Sequence, residues 1–313
     1  MDSSRYQDDA RPRTTLAERR WRAAAALPLL LLISACNRGI LDPVGPVGQA
    51  EKTILINSTA IMLAIIIPTM IATVAFAWWF RRGNKKATYL PDWEYSGAIE
   101  LVVWGIPVLT IMLLGGIAWI GSHNLEPSQP LVSAKAPLKV EVVSLDWKWL
   151  FIYPDQGVAT VNQLVVPAGT PVSYRLTSAT VWNVFFVPQF GTMIYTMPRM
   201  TTKLHLQADR PGVYDGLSAH FSGDGFPGMQ FKAQVLPPDQ FAIWAQGAHG
   251  QGGTLDAPAF AELSKPSSYV KPMMYGAVAP GLFDAIVTDQ VARLQAPQAA
   301  PPAVPASTKS PGG

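Results

Sequence analysis

Leu138-Lys139-Val140-Glu141-Val142 alternates apolar and polar residues, the pattern of a half-buried strand, because successive side chains of an extended chain point to opposite faces. Val172–Leu176, Val181–Val187 and Thr201–Gln207 repeat the pattern downstream. Between them lie turn clusters: Pro154-Asp155-Gln156-Gly157, Pro167-Ala168-Gly169 and Asp209-Arg210-Pro211-Gly212. Short strands punctuated in this way, with no long helical period between them, predict an all-β sandwich or barrel over residues 130–237.

Upstream the chemistry changes. Ile54 to Phe80 is almost wholly apolar, with Pro68 inside it and Trp78, Trp79 and Phe80 at its end. A bilayer crossing takes roughly 20 such residues, so 54–80 is the first predicted span. Arg81, Arg82, Lys85 and Lys86 follow, and a basic cluster of this kind belongs on the cytoplasmic side, placing loop 81–96 there. Gly97 to Ile120 is the second predicted span, and its far flank, Gly121 to Pro130, has no Lys or Arg. The sandwich is therefore expected outside the cytoplasmic membrane.

The first residues carry a second, independent topology signal. Arg11, Arg13, Arg19, Arg20 and Arg22 precede a short apolar run, Ala23 to Ile33, and Ile33-Ser34-Ala35 leads directly into Cys36. This is the form of a bacterial lipoprotein signal over residues 1–35, cleaved before a cysteine that is then acylated. The alternative is an ordinary first membrane helix that contains a cysteine. In the lipoprotein case residues 36–53 form an external segment, and both signals put the two ends of the helix pair on the same side. Cys36 is the only cysteine, so no intrachain disulfide can form.

Composition agrees. Of 313 residues 49% are hydrophobic and 14% charged, against roughly 25% charged in soluble domains. The net charge of +3 is concentrated beside the apolar segments, which argues for topology and against a nucleic-acid surface. Beyond Pro237-Pro238 helical patches occur at Pro238–Gln246, Ala257–Leu263 and Gly281–Leu294, giving a helical extension over 238–295. The Pro- and Ala-rich residues 296–313 have the composition of a disordered tail.

A lipoprotein signal, two spans and a sandwich in this order resemble subunit II of the haem–copper oxidases, whose external domain is a cupredoxin-like Greek-key β-sandwich. Four strings carry the resemblance: Trp147-Lys148-Trp149, Val165 to Val172, Asn183 to Gly191, and Gly216 through Met229. The resemblance implies a binuclear copper centre in the cytochrome c-oxidising members, held by two thiolates, two imidazoles, a thioether and a backbone carbonyl. Aligned on Gly228-Met229, the thiolate positions fall on Ser218 and Ser222, the imidazole positions on Asn183 and Phe226, and the carbonyl on His220. Only Met229 keeps its type. A serine hydroxyl is a hard, un-ionised donor that cannot replace a thiolate on copper, so no metal or other cofactor is expected on this chain.

That pattern is similar to the quinol-oxidising, cytochrome bo-type branch. There ubiquinol, the substrate of the complex, delivers electrons within the membrane to a haem-bearing subunit I, which holds the haems and the catalytic copper. The resemblance implies subunit I, smaller subunits and membrane lipid as partners, and the bacterial inner membrane as location. It also places Glu100, in Ile99-Glu100-Leu101 at the start of the second span, at the mouth of a proton pathway of subunit I. An ionisable residue in a span is a functional candidate by default, although a helix N-terminus favours a carboxylate in any case. The loop 218–229, without metal, is expected to close on its glycines and on Phe221 and Phe226. His205 should be exposed on the polar face of its strand, and His123 and His249 should be surface residues. Two rivals stay open: a copper-bearing cytochrome c oxidase subunit, and an envelope lipoprotein carrying a cupredoxin-like binding module.

Overall fold

The computed structural model describes residues 39–88 and 90–295. The expected signal, Cys36 and the expected tail at 296–313 lie outside the described residues. Two helices, α1 (Pro46–Trp79) and α2 (Gly97–Asn124), pack side by side and are the two candidate membrane spans. Their apolar side chains face outward, as lipid or a partner subunit requires.

Both helices outrun their predicted spans, α1 by eight residues at its start and α2 by four at its end. The predicted external segment 36–53 is therefore helical from Pro46 onward. Proline at the first helical position suits the missing N–H, and the extra turns are held by the sandwich, where Val47 and Gly48 are buried. The chain just before α1 is sutured to the same place. Val44 donates its N–H to the Gln189 carbonyl across 2.8 Å and accepts one from Asp209 across 2.7 Å. Gly45 is required there, since a Cβ would stand 1.7 Å from the Gln207 carbonyl oxygen. At the far end of the sandwich side of α2, His205 donates its backbone N–H to the Pro127 carbonyl, and its ring reaches Ser173 Oγ at 3.1 Å. His205 is thus half-buried under the linker from α2, which corrects its expected exposure.

The sandwich comprises, among the described residues, a six-stranded and a five-stranded sheet. The strands are β1 (Leu138–Leu145), β2 (Lys148–Tyr153), β3 (Val158–Val161), β4 (Gln163–Pro167), β5 (Val172–Ser178), β6 (Asn183–Phe186), β7 (Ile194–Thr196), β8 (Thr202–Leu206), β9 (Gly212–Ser218) and β10 (Gln230–Leu236). The first sheet runs β3-β2-β1-β5-β8 and the second β4-β10-β9-β6-β7. Parallel pairing of β1 with β5 and of β4 with β10 follows from a chain that changes sheet repeatedly, as a cupredoxin-like sandwich does. Between the sheets Trp149, Phe151, Tyr174, Phe185 and Phe231 form the centre of the core, with Phe185 and Phe231 stacked at 5.4 Å. Predicted strand Val181–Val187 shrinks to β6. Ser178 Oγ donates to the Val181 carbonyl across 2.5 Å and accepts from the Thr180 N–H, a local turn that competes with pairing.

The C-terminal extension contains the expected helices, α3 (Pro238–Ala248), α4 (Ala257–Leu263) and α5 (Leu282–Val287), the last much shorter than Gly281–Leu294. It also contains strands that the helical patches did not suggest: β11 (Thr254–Leu255), β12 (Met273–Tyr275) and β13 (Ala277–Val278). β12 extends the first sheet antiparallel to β3, pairing Met273 with Val161. Phe260, Leu263, Leu282, Phe283 and Ile286 cover Val143, Leu145, Leu150 and Ile152. β2 and β3 are consequently buried on both faces, which is why β2 is buried at every position, and apolar from Trp149 to Tyr153, where an open sheet would alternate.

Candidate functional site

The candidate site is the loop from Ser218 to Met229 at one end of the second sheet. Its base is closed by the Ser218 N–H donating to the Met229 carbonyl across 3.2 Å, and β6 lies alongside, pairing Phe185 with Ser218. The fold brings Asn183, Ser218, Ser222, Met229 and the backbone of His220 together. Ser218 Oγ has two acceptors in reach, Asn183 Oδ1 at 3.1 Å and the His220 carbonyl at 3.2 Å. Ser222 Oγ approaches the buried thioether of Met229 at 3.9 Å. Asn183 is itself buried, and its carbonyl accepts from Thr196 Oγ1, which also meets Ser144 Oγ at 2.9 Å. A buried polar group is tolerated only when it is hydrogen-bonded, and this network supplies the partners.

Two residues behave differently. His220 contributes only its carbonyl, for its exposed ring lies edge-on to Tyr195 at 5.9 Å. Phe226 turns toward Phe221 at 5.5 Å, as the loop-closure expectation had it, but Phe221 is 71% exposed and cannot anchor a core.

The clamp that sequence reasoning missed is Trp147. It occupies the tight turn between β1 and β2 with φ of +66°, a region that costs an L-residue roughly 1–2 kcal/mol. Its indole Nε1 donates to the Ser222 carbonyl across 3.0 Å, and its ring lies on the loop backbone. A Cβ on Gly225 would come within 2.2 Å of that ring. The pair Gly223 and Gly225 was the available signal, since glycine marks a close backbone approach.

A second missed group is Lys148, next in the chain and almost completely buried. Its Nζ donates to the Lys265 carbonyl across 2.7 Å and to Ser267 Oγ, tying the extension to β2. Burial pushes its pKa down from the ordinary lysine value. Glu100 stands apart from all of these, in the first turn of α2 and exposed. The length of that helix, about 40 Å, separates it from the loop.

A pair of copper ions does not fit this donor set. The converging atoms are two hydroxyls, an amide, a carbonyl and one thioether, with neither thiolate nor imidazole among them. Among the described residues no three His, Cys, Asp or Glu side chains gather as a metal site.

Comparison with known proteins places the chain. Residues 155–234 match the family model of the cytochrome c oxidase subunit II periplasmic domain, and residues 249–293 match the COX aromatic rich motif. Cytochrome bo(3) ubiquinol oxidase subunit 2 of Pseudomonas aeruginosa is 46% identical over 82% of this chain and 78% of its own. The subunit of the same name from Pseudomonas putida is 47% identical over 85% of each chain. Ubiquinol oxidase subunit 2 of Acetobacter aceti is 46% identical over 82% of this chain and 84% of its own.

The chain belongs to the cytochrome bo(3) ubiquinol oxidase subunit 2 family. Membership identifies the thiolate-free loop as a member of a quinol-oxidase subunit rather than of a soluble copper protein, and identifies the layer over the first sheet as the aromatic rich motif. It also fits the two apolar helices, which anchor the sandwich to a membrane.

Proposed function

We propose that this chain is the non-catalytic subunit II of a proton-pumping ubiquinol:oxygen oxidoreductase in the bacterial inner membrane. The observation that carries the reading is the loop 218–229. A subunit that receives electrons from a soluble cytochrome needs a metal relay in this loop, and here a network of Ser218, Asn183, Ser222 and Met229 fills it. A polar network of this kind preserves the shape of the loop and carries no electrons. Electrons must then enter the complex elsewhere, and a quinol oxidised within the membrane supplies them.

In this reading α1 and α2 pack on a haem-bearing subunit I, which holds the haems, the catalytic copper and the quinol site, and smaller subunits complete the assembly. The sandwich caps subunit I on the outer face, its orientation held by the Val44 suture and the rigid start of α1. Asn183, Ser218, His220, Ser222, Phe226 and Met229 are vacated ligand positions. Cys36 carries a lipid after removal of residues 1–35, and Glu100 stands at the entrance of a proton pathway, where its carboxylate passes protons toward subunit I.

The test is oxygen uptake by the complex purified through a tag on this chain, with ubiquinol and reduced cytochrome c offered separately. Uptake with ubiquinol alone is expected. Uptake with cytochrome c would overturn the reading.

A further inference from the structure

A sizeable cavity lies far from the loop just described, at the Arg81–Lys86 end of the helix pair, the cytoplasmic end by its charge bias. It measures about 760 Å³ and its walls are chiefly apolar, within the size range of sites for lipid-like and other small ligands. Phe76, Phe80, Trp93 and Ile99 form the apolar part, and Arg81 and Arg82 stand together at its polar rim. Arg81 is held in place over the Trp78 ring, 4.7 Å from its centroid. Among the described residues neither arginine has a carboxylate within 4.0 Å, whereas Arg175, Arg199 and Arg210 each do. Two adjacent guanidiniums without a counter-ion, directly above an apolar cleft at the membrane surface, are complementary to one kind of occupant. Arginine forks match phosphate oxygens, and Phe76 and Phe80 at the end of α1 with Ile99 at the start of α2 give the cleft an apolar wall suited to an acyl chain.

We propose that this cavity binds an anionic glycerophospholipid, its phosphate on Arg81 and Arg82 and an acyl chain along Phe76, Phe80 and Ile99. The lipid fills the gap between the two helices where they leave the membrane. Lys85 and Lys86, in the same loop, do not line the cavity and contribute only general surface attraction.

The test is photo-crosslinking in the whole complex, purified through a tag on this chain and placed in phosphatidylcholine bilayers. The probes are a phosphatidylglycerol and a phosphatidylcholine, each with a photoactivatable acyl chain, and the readout is the label on peptides spanning residues 76–99. The phosphatidylglycerol probe is expected to label this segment preferentially. R81Q/R82Q should reduce that labelling by on the order of tenfold, while K85Q/K86Q, with the same loss of charge, leaves it in place. Equal loss in both variants would mean diffuse surface charge and would overturn the site. Absence of label in the wild type would mean that a neighbouring subunit covers the cavity, with the same consequence. Should R81Q/R82Q fail to assemble, the two probes on the wild-type complex decide alone, and equal labelling by both refutes the proposal. None of these outcomes depends on which electron donor the complex uses.

Discussion

Ser218 Oγ lies 3.1 Å from Asn183 Oδ1, so a hydroxyl and an amide on neighbouring strands hold each other at the positions that the resemblance assigns to a thiolate and an imidazole. The bond is buried, and burial fixes its worth. Removing one partner leaves the other as a desolvated polar orphan, which costs more than the net value of a hydrogen bond.

Ser218→Ala should therefore destabilise the external domain by about 1–3 kcal/mol. Thermal unfolding of the purified complex is the measurement. Ser218→Cys and Ser222→Cys, made singly, should bind no additional copper, because one thiolate without imidazoles is not a site for a metal pair. A gain in copper content in either variant would show that the donor count is wrong.

Gly225→Ala drives a methyl group into the Trp147 ring, against a turn that already holds Trp147 at positive φ. Overpacking of this kind costs about 1–3 kcal/mol. The expected sign is faster protease cleavage within residues 219–229 in Gly225→Ala and in Trp147→Ala alike. Unchanged cleavage in both would remove Trp147 as the clamp.

Lys148 predicts a pH dependence. Burial lowers its pKa, so between that lowered value and the ordinary 10.5 the unfolded chain binds more protons than the folded one. Stability from this group consequently rises as pH increases through that interval. The difference in thermal midpoint between wild type and Lys148→Met should shift in favour of wild type as pH is raised from neutral toward 10. A difference that stays flat with pH would place the ammonium in a well-solvated setting.

Glu100→Gln keeps size and helix propensity and removes the ability to carry a proton. Oxygen uptake should fall while co-purification of the other subunits is unaffected. A wild-type rate in this variant would leave Glu100 as a helix-terminal carboxylate with no part in proton transfer.

Residue types and their spacing were sufficient for the two apolar helices, the sandwich, and a loop 218–229 without cysteine. Each depends on local composition: apolar length decides bilayer crossing, alternation decides a half-buried strand, and donor chemistry belongs to single side chains. What the chain alone did not reveal involves contacts between distant segments. β2 is buried on both faces only because residues 249–293 fold back over it, so the apolar run Trp149–Tyr153 became explicable once that layer was in place. The start of α1 extends past the hydrophobic run because Val44 and Val47 dock on the sandwich, a contact more than 140 residues away in sequence. His205 looked like the polar side of a strand and turned out to be covered by the Pro127 linker. Trp147 and Gly225 met only when a two-residue turn and a loop nearly 80 residues later were brought face to face. Local pattern follows from each residue's own solvation and backbone preference, whereas which surface covers which is decided by tertiary packing.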